Sequence, residues 1–169
     1  MNSRLWKTIE ERKTSYLPIW FMRQAGRYLP EFQEIRKKNQ NFIKLCLNSN
    51  LVEEITLQPL KRFDIDAAII FSDILMIPYG LNQKVEFRKD FGPSLSNINL
   101  DKIINTDPVD FVQKLIPIYK GIEKVKKKSE KNLIGFVGAP WTLLLYMLNK
   151  ESPKNNFNFN KIIKDKYLV

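Results

Sequence analysis

Two arginines stand four residues apart in Trp20-Phe21-Met22-Arg23-Gln24-Ala25-Gly26-Arg27, directly after an apolar run that begins at Leu17. Guanidinium is planar, permanently charged and able to grip carboxylate or phosphate at two points. A phosphate cradle wants several glycines ahead of a helix, and a single Gly26 is poor support for one. The plainer reading is a solvated surface pair. Two other groups end apolar runs in the same way. Ser72-Asp73 follows Asp66-Ala67-Ala68-Ile69-Ile70-Phe71, and Gly138-Ala139-Pro140-Trp141-Thr142 closes the run from Leu133. Asp73 is a carboxylate at the mouth of an apolar floor, suited to a ligand with N–H donors or developing positive charge. Its plainer role is to cap the next turn. Tyr146, one turn into the helix after Thr142, is either a phenolic donor or a core residue.

These groups need elements to hold them. The spacing predicts a helix over 3–13, a short buried strand over 17–22, and a helix from Pro30 to Lys38 opened by proline in its first turn. A further helix is expected from Leu51 to Arg62, kinked or shortened by Pro59. Residues 66–71 read as a strand buried on both faces, and 83–88 as a hairpin arm. Asp107-Pro108 starts a long helix to Lys128, 133–138 is a third buried strand, and Pro140 opens another helix. The Asn/Lys-rich tail from Pro153 reads as a loop entering a helix. Buried strands separated by helices imply parallel βα units, hence an α/β fold. In such folds the chemical groups gather at the C-terminal ends of the strands, where the three clusters fall. An open doubly wound sheet and a (β/α)8 barrel both fit the pattern. Three strands cannot close a barrel and leave both edges unpaired.

Composition removes several alternatives. The chain has 169 residues, 44% hydrophobic and 27% charged, which is globular rather than disordered. Net charge is +10, but lysine outnumbers arginine 21 to 7 and is spread along the chain, which argues against a nucleic-acid face. The densest run, Lys124 to Lys128, belongs to a helix end, where cations suit the dipole. There is no histidine, so no imidazole base and no histidine metal site. The one cysteine, Cys46, forms no internal disulfide and reads as a small buried hydrophobe in a helix. No apolar run approaches a membrane span and no secretory signal opens the chain, so the expectation is a cytoplasmic protein.

The run Pro18-Ile19-Trp20-Phe21-Met22-Arg23-Gln24-Ala25-Gly26-Arg27-Tyr28-Leu29-Pro30-Glu31 closely resembles the N-terminal signature of uroporphyrinogen decarboxylases. So do Leu57 to Phe63 (LQPLKRF), Ala67 to Leu75 (AAIIFSDIL) and Gly135 to Met147 (GFVGAPWTLLLYM). Asn149-Lys150 departs from the small or acidic residue usual there. The resemblance implies a cofactor-free (β/α)8 TIM barrel, usually a homodimer. Residues 1–169 would supply the N-terminal portion, about three of the eight βα units, with later site residues lying beyond Val169. It implies removal of CO2 from the four acetate side chains of uroporphyrinogen III, giving coproporphyrinogen III. Arg23, Gln24, Ala25, Gly26, Arg27 and Arg36 then fall among the substrate contacts, the arginines meeting carboxylates. Asp73 accepts from the pyrrole N–H groups, and Asp73 and Arg23 carry the catalytic expectation. Ile69, Phe71 and Phe136 would form the apolar floor, and Tyr146 would bond a carboxylate or the intermediate. No metal is expected. Corrinoid-linked methyltransferases share the barrel and use zinc, but typically lack the Arg-Gln-Ala-Gly-Arg run. A non-catalytic fragment, or one half of a split enzyme, is the other alternative.

Overall fold

In a computed structural model of the protein, the described residues are 3–12, 16–24, 28–88 and 91–152. The order begins α1 (Arg4–Glu11), α2 (Pro30–Lys38), α3 (Phe42–Cys46), α4 (Ser49–Arg62) and β1 (Ala67–Ile69). It continues α5 (Met76–Gly80), β2 (Val85–Arg88), β3 (Gly92–Leu95), α6 (Leu100–Ile104), α7 (Pro108–Lys128), β4 (Asn132–Ile134) and α8 (Pro140–Asn149). β1 and β4 pair in parallel, with Ala67, Ala68 and Ile69 opposite Asn132, Leu133 and Ile134. Parallel neighbours need a long crossover, which the chain between them supplies. β2 and β3 form an antiparallel hairpin. The result is an α/β fold with a partial, unclosed sheet, as expected of the N-terminal portion of a (β/α)8 fold.

Local chemistry explains the helix ends. Asp107 caps α7 by accepting from Val109 N–H at 2.6 Å, and Pro108 occupies the first turn, where its missing donor costs nothing. Lys126, Lys127 and Lys128 fill the last turn, and Lys128 meets Glu53 of α4 at 2.6 Å. Asn48 caps α4 through Asn50 and Leu51 N–H. Pro59 does not stop α4, which runs on to Arg62. One turn from the end, proline loses a single bond and is itself buried.

The core lies where α4 packs between β1 and α7, with Val52, Ile55, Leu115 and Val125 almost wholly enclosed. Close approach of α4 and α7 depends on Gly121, since a Cβ there would stand 2.6 Å from Val52 Cγ1. No helix among the described residues is long and apolar enough to cross a membrane.

Two strand expectations need correction. Residues 17–22 form no strand, and Leu17, Phe21 and Met22 are exposed at 83%, 62% and 71%. Pro18 has no donor to give a ladder, and the amides that follow it bond to side chains instead. The third expected strand, 133–138, shortens to β4, which is only half buried, while Phe136 and Val137 face outward. Among the described residues β4 has a neighbour on one side only, so nothing extends its ladder. The tail from Pro153 onward, read above as a loop entering a helix, lies outside the described residues.

Candidate functional site

β1 is buried along its length, and Ile70 and Phe71 carry the buried run two residues further. Phe71 is held on two sides, edge-on to Phe32 at 5.9 Å and to Phe42 at 5.8 Å. Its backbone N–H donates to Thr56 Oγ1 at 2.9 Å, and the same hydroxyl donates to Val52 O at 2.6 Å. A buried threonine on α4 therefore fixes the chain just before Ser72-Asp73.

Asp73 Oδ1 accepts from Leu75 N–H at 2.8 Å, and its backbone carbonyl accepts from Met76 N–H at 3.1 Å. The capping role is thus realised, and it orients the carboxylate at the end of β1. Beneath lies the Cys46 thiol, whose pKa is pushed up chiefly by burial and further by the Asp73 carboxylate, while Arg36 opposes the shift. Asp73 and Arg36 therefore both lie within electrostatic reach of one buried group. Arg36 donates through Nη1 to the carbonyls of Asn39 and Gln40, the latter at 2.8 Å, and lies 5.4 Å from the Phe42 ring centre. Much of its guanidinium closes the end of its own helix.

The loop after β4 meets the loop after β1. A Cβ on Gly138 would stand 2.7 Å from Leu143 Cδ2 and 3.1 Å from Ile74 Cβ, so only glycine lets the two loops pack this closely. Two of the three rim clusters are thereby brought together. Ile69 is buried against β4, Phe136 is exposed at 43%, and Tyr146 packs partly on the core with its hydroxyl 3.3 Å from Ser152 Oγ.

The first cluster sits elsewhere. Arg23 is exposed and lines a cavity of about 590 Å³ with Phe21, Met22, Gln24, Tyr28, Pro59, Phe63 and Ile65. That cavity opens beside the start of β1, whereas Asp73 lies past its end. Gln24 is buried, donating to Ala67 O at 3.0 Å and accepting from Phe21 N–H at 2.8 Å. Ala25, Gly26 and Arg27 lie outside the described residues.

One residue that anchors this region carried no motif. Asp66, buried at the head of β1, accepts Ile19 N–H at 2.8 Å and lies 3.7 Å from Arg4. An acid opening an otherwise apolar run was the available signal. Thr56 had a similar one, a hydroxyl among the apolar positions of α4.

Comparison with known proteins identifies the family. The family described as uroporphyrinogen decarboxylase (URO-D) matches residues 1–167. Uroporphyrinogen decarboxylase of Rickettsia felis is 44% identical over 156 residues, covering 89% of this chain and 44% of that protein. The Brucella ovis protein of the same name is 43% identical over 150 residues, covering 88% and 44%. The chain thus spans less than half the length of these curated relatives. Among solved structures, a methyltransferase from Methanosarcina mazei superposes with a TM-score of 0.64 at 12% identity, covering 86% of this chain and 44% of that one. At that identity the likeness is one of fold alone. With the family signature running through the very segments that end at Arg23, Asp73 and Gly138, the chain belongs to the uroporphyrinogen decarboxylase family.

Proposed function

We propose that the chain carries the tetrapyrrole-binding first part of a uroporphyrinogen decarboxylase, active when further polypeptide completes the barrel. The observation that carries this reading is the carboxylate of Asp73, oriented at the end of a buried strand within a family match that covers nearly the whole chain. The substrate presents four pyrrole N–H groups at its centre and carboxylates on arms around the rim. Central anion and peripheral cations therefore have to stand apart, roughly a ring radius from one another. Asp73 takes the centre. Arg23 and Arg27 take carboxylate arms, with Arg36 a weaker contributor because its Nη1 is engaged in capping. Phe136, the exposed member of the apolar floor, faces the ring, Ile69 and Phe71 pack the floor beneath it, and Tyr146 reaches an arm. Gln24 is enclosed, so its part is indirect.

Loss of CO2 leaves an electron pair on the side-chain carbon, which needs a sink. Protonation of the adjacent pyrrole carbon makes the ring cationic, and the departing bond's electrons neutralise it. A second proton then completes the methyl group, and the ring carbon releases the first proton to restore the neutral pyrrole. The Asp73 carboxylate stabilises the cationic ring between these steps, and a fixed charge in a site that excludes water is worth roughly 3 kcal/mol. No cofactor enters this scheme. Arg23 is the side chain here that inherits the family's candidate proton donor, although guanidinium surrenders a proton reluctantly. The unclosed sheet favours one further element of the reading: β1 and β4 enclose no cavity by themselves, so a completing segment has to wall off the substrate. Homodimerisation of the completed protein belongs to the same proposal.

The test is decarboxylation of uroporphyrinogen by a protein that joins this chain to a segment restoring the relatives' full length. Asp73→Asn is nearly isosteric but uncharged, and should reduce turnover on the order of 100-fold with the fold intact. Turnover within about threefold of the unaltered protein removes Asp73 from the mechanism.

A further inference from the structure

The outer edge of β1 is closed by side chains. Ile70 N–H donates to Ile134 O, so alternate residues of β1 address β4, and Ala67 and Phe71 address the opposite edge. Among the described residues no strand pairs there. Phe71 N–H instead meets Thr56 Oγ1, and Ala67 O meets the Gln24 amide. The Gln24 carboxamide does more than fill a bond. Its Oε1 accepts from Phe21 N–H at 2.8 Å while its Nε2 donates to Ala67 O at 3.0 Å. A peptide group inserted between two strands would make the same pair of bonds, accepting from one and donating to the other. The residue is 5% exposed, so its remaining lone pair and N–H are enclosed as well.

From this bridge we propose that Gln24 is a positioning residue: its amide splices the 17–24 segment to β1, fixes the turn at Met22-Arg23, and so aims the Arg23 guanidinium over the cavity it lines. The apolar stretch it holds is otherwise poorly anchored. Leu17, Phe21 and Met22 are mostly exposed, and the other bonds tying the segment to β1 are those between Ile19 and Asp66. Without the amide, Phe21 N–H returns to solvent and Ala67 O loses its donor, so the Phe21–Gln24 turn loses the side-chain bonds that tie it to β1. A long cationic side chain on a loose turn spends most of its time away from any one anion. Gln24 thus contributes to ligand affinity without touching the ligand.

The proposal rests on the reading of Arg23 as a carboxylate contact, and two measurements separate them, both made on this chain joined to a segment that restores the relatives' full length. The first is amide hydrogen exchange. Gln24→Ala should speed exchange at Phe21 about tenfold, the size expected for losing one or two net hydrogen bonds. Ile70, in the β1–β4 ladder, should keep its protection and so report that the fold survives. The second is fluorescence titration with uroporphyrin, an octacarboxylate. Gln24→Ala should weaken binding about tenfold, Arg23→Ala at least as much, and the double variant no more than Arg23→Ala alone. Should Gln24→Ala not fold, Gln24→Glu preserves shape and the acceptor for Phe21 while removing the donor to Ala67. It should keep Phe21 protected and still weaken binding severalfold. Unchanged Phe21 exchange in Gln24→Ala overturns the splice, and so does full uroporphyrin affinity in Gln24→Glu. Additive losses in the double variant overturn positioning, because they mean that Gln24 contacts the ligand itself. If the unaltered completed protein binds no uroporphyrin, the Arg23 reading fails, and the exchange result by itself decides whether Gln24 splices the segment.

Discussion

Two segments lead into the candidate site, and they are held in opposite ways. The 67–71 segment is enclosed by α4 and β4 and tied by ladder bonds on one edge and by Thr56 on the other. The 17–24 segment has a comparably apolar sequence, yet it lies largely exposed and is tied by one backbone bond, Asp66 N–H to Ile19 O, and by the side chains of Asp66 and Gln24. The contrast shows that apolar content does not bury a segment. Burial requires a partner surface, and a strand requires a neighbouring edge whose donors and acceptors are in register. Asp73 is therefore fixed by the core, whereas Arg23 depends on two side-chain anchors and a single backbone bond.

Truncation experiments should sharpen the contrast most. Ile55→Ala empties a fully enclosed position of α4 beneath β1 and should cost about 2–5 kcal/mol of unfolding free energy. Leu17→Ala removes the same number of carbons from an exposed position and should stay within about 0.5 kcal/mol. Chemical denaturation of both variants is the check, and equal losses would mean that the 17–24 segment is buried in solution.

A smaller effect is expected at the edge of β1. Thr56→Val keeps the shape but strands Phe71 N–H without an acceptor, at a cost of about 1–3 kcal/mol. Faster amide exchange at Phe71 should accompany it. No change in either measurement would show that the hydroxyl does not hold the strand end.

The smallest effect concerns α2 and α4 where they meet at the surface. Glu31 receives two bonds from Arg62, at 2.7 and 3.0 Å, which hold its carboxyl below the ordinary value, the hydrogen bond outweighing the charge. A depressed folded pKa stabilises above the unfolded value and is lost as pH falls through the folded one. Stability should therefore decline slightly as the solution is acidified below the normal glutamate range, and Arg62→Gln should abolish that part of the slope. Both groups are solvent-exposed, so the slope change is expected near the limit of a careful pH-dependent melt.

Much was legible in the residue pattern. Proline at the first turn placed α2, α7 and α8, Asp107 announced the start of α7, and the lysine run announced its end. The β-branched run at 66–71 marked a buried strand, and Cys46 lay in the core as its type implies. Each of these is decided by backbone geometry or desolvation within a few residues. The family signature, a resemblance in ordered motifs rather than a deduction from period or charge, added the candidate chemistry. The short helices α3, α5 and α6 were less visible, since five residues give too little periodicity to read.

What tertiary structure alone decided is how the candidate groups relate. Sequence set three clusters at three strand ends, which put them on one rim. Folding joined Asp73 to the Gly138 loop through Ile74, turned Arg36 onto its own helix end, and left Arg23 over a cavity at the other end of β1. These outcomes depend on contacts between residues tens of positions apart. Gln24 reaches Ala67, Asp66 reaches Ile19, and Thr56 reaches Phe71. Local propensity carries no information about such pairs, because each bond forms only after packing has brought its two ends together.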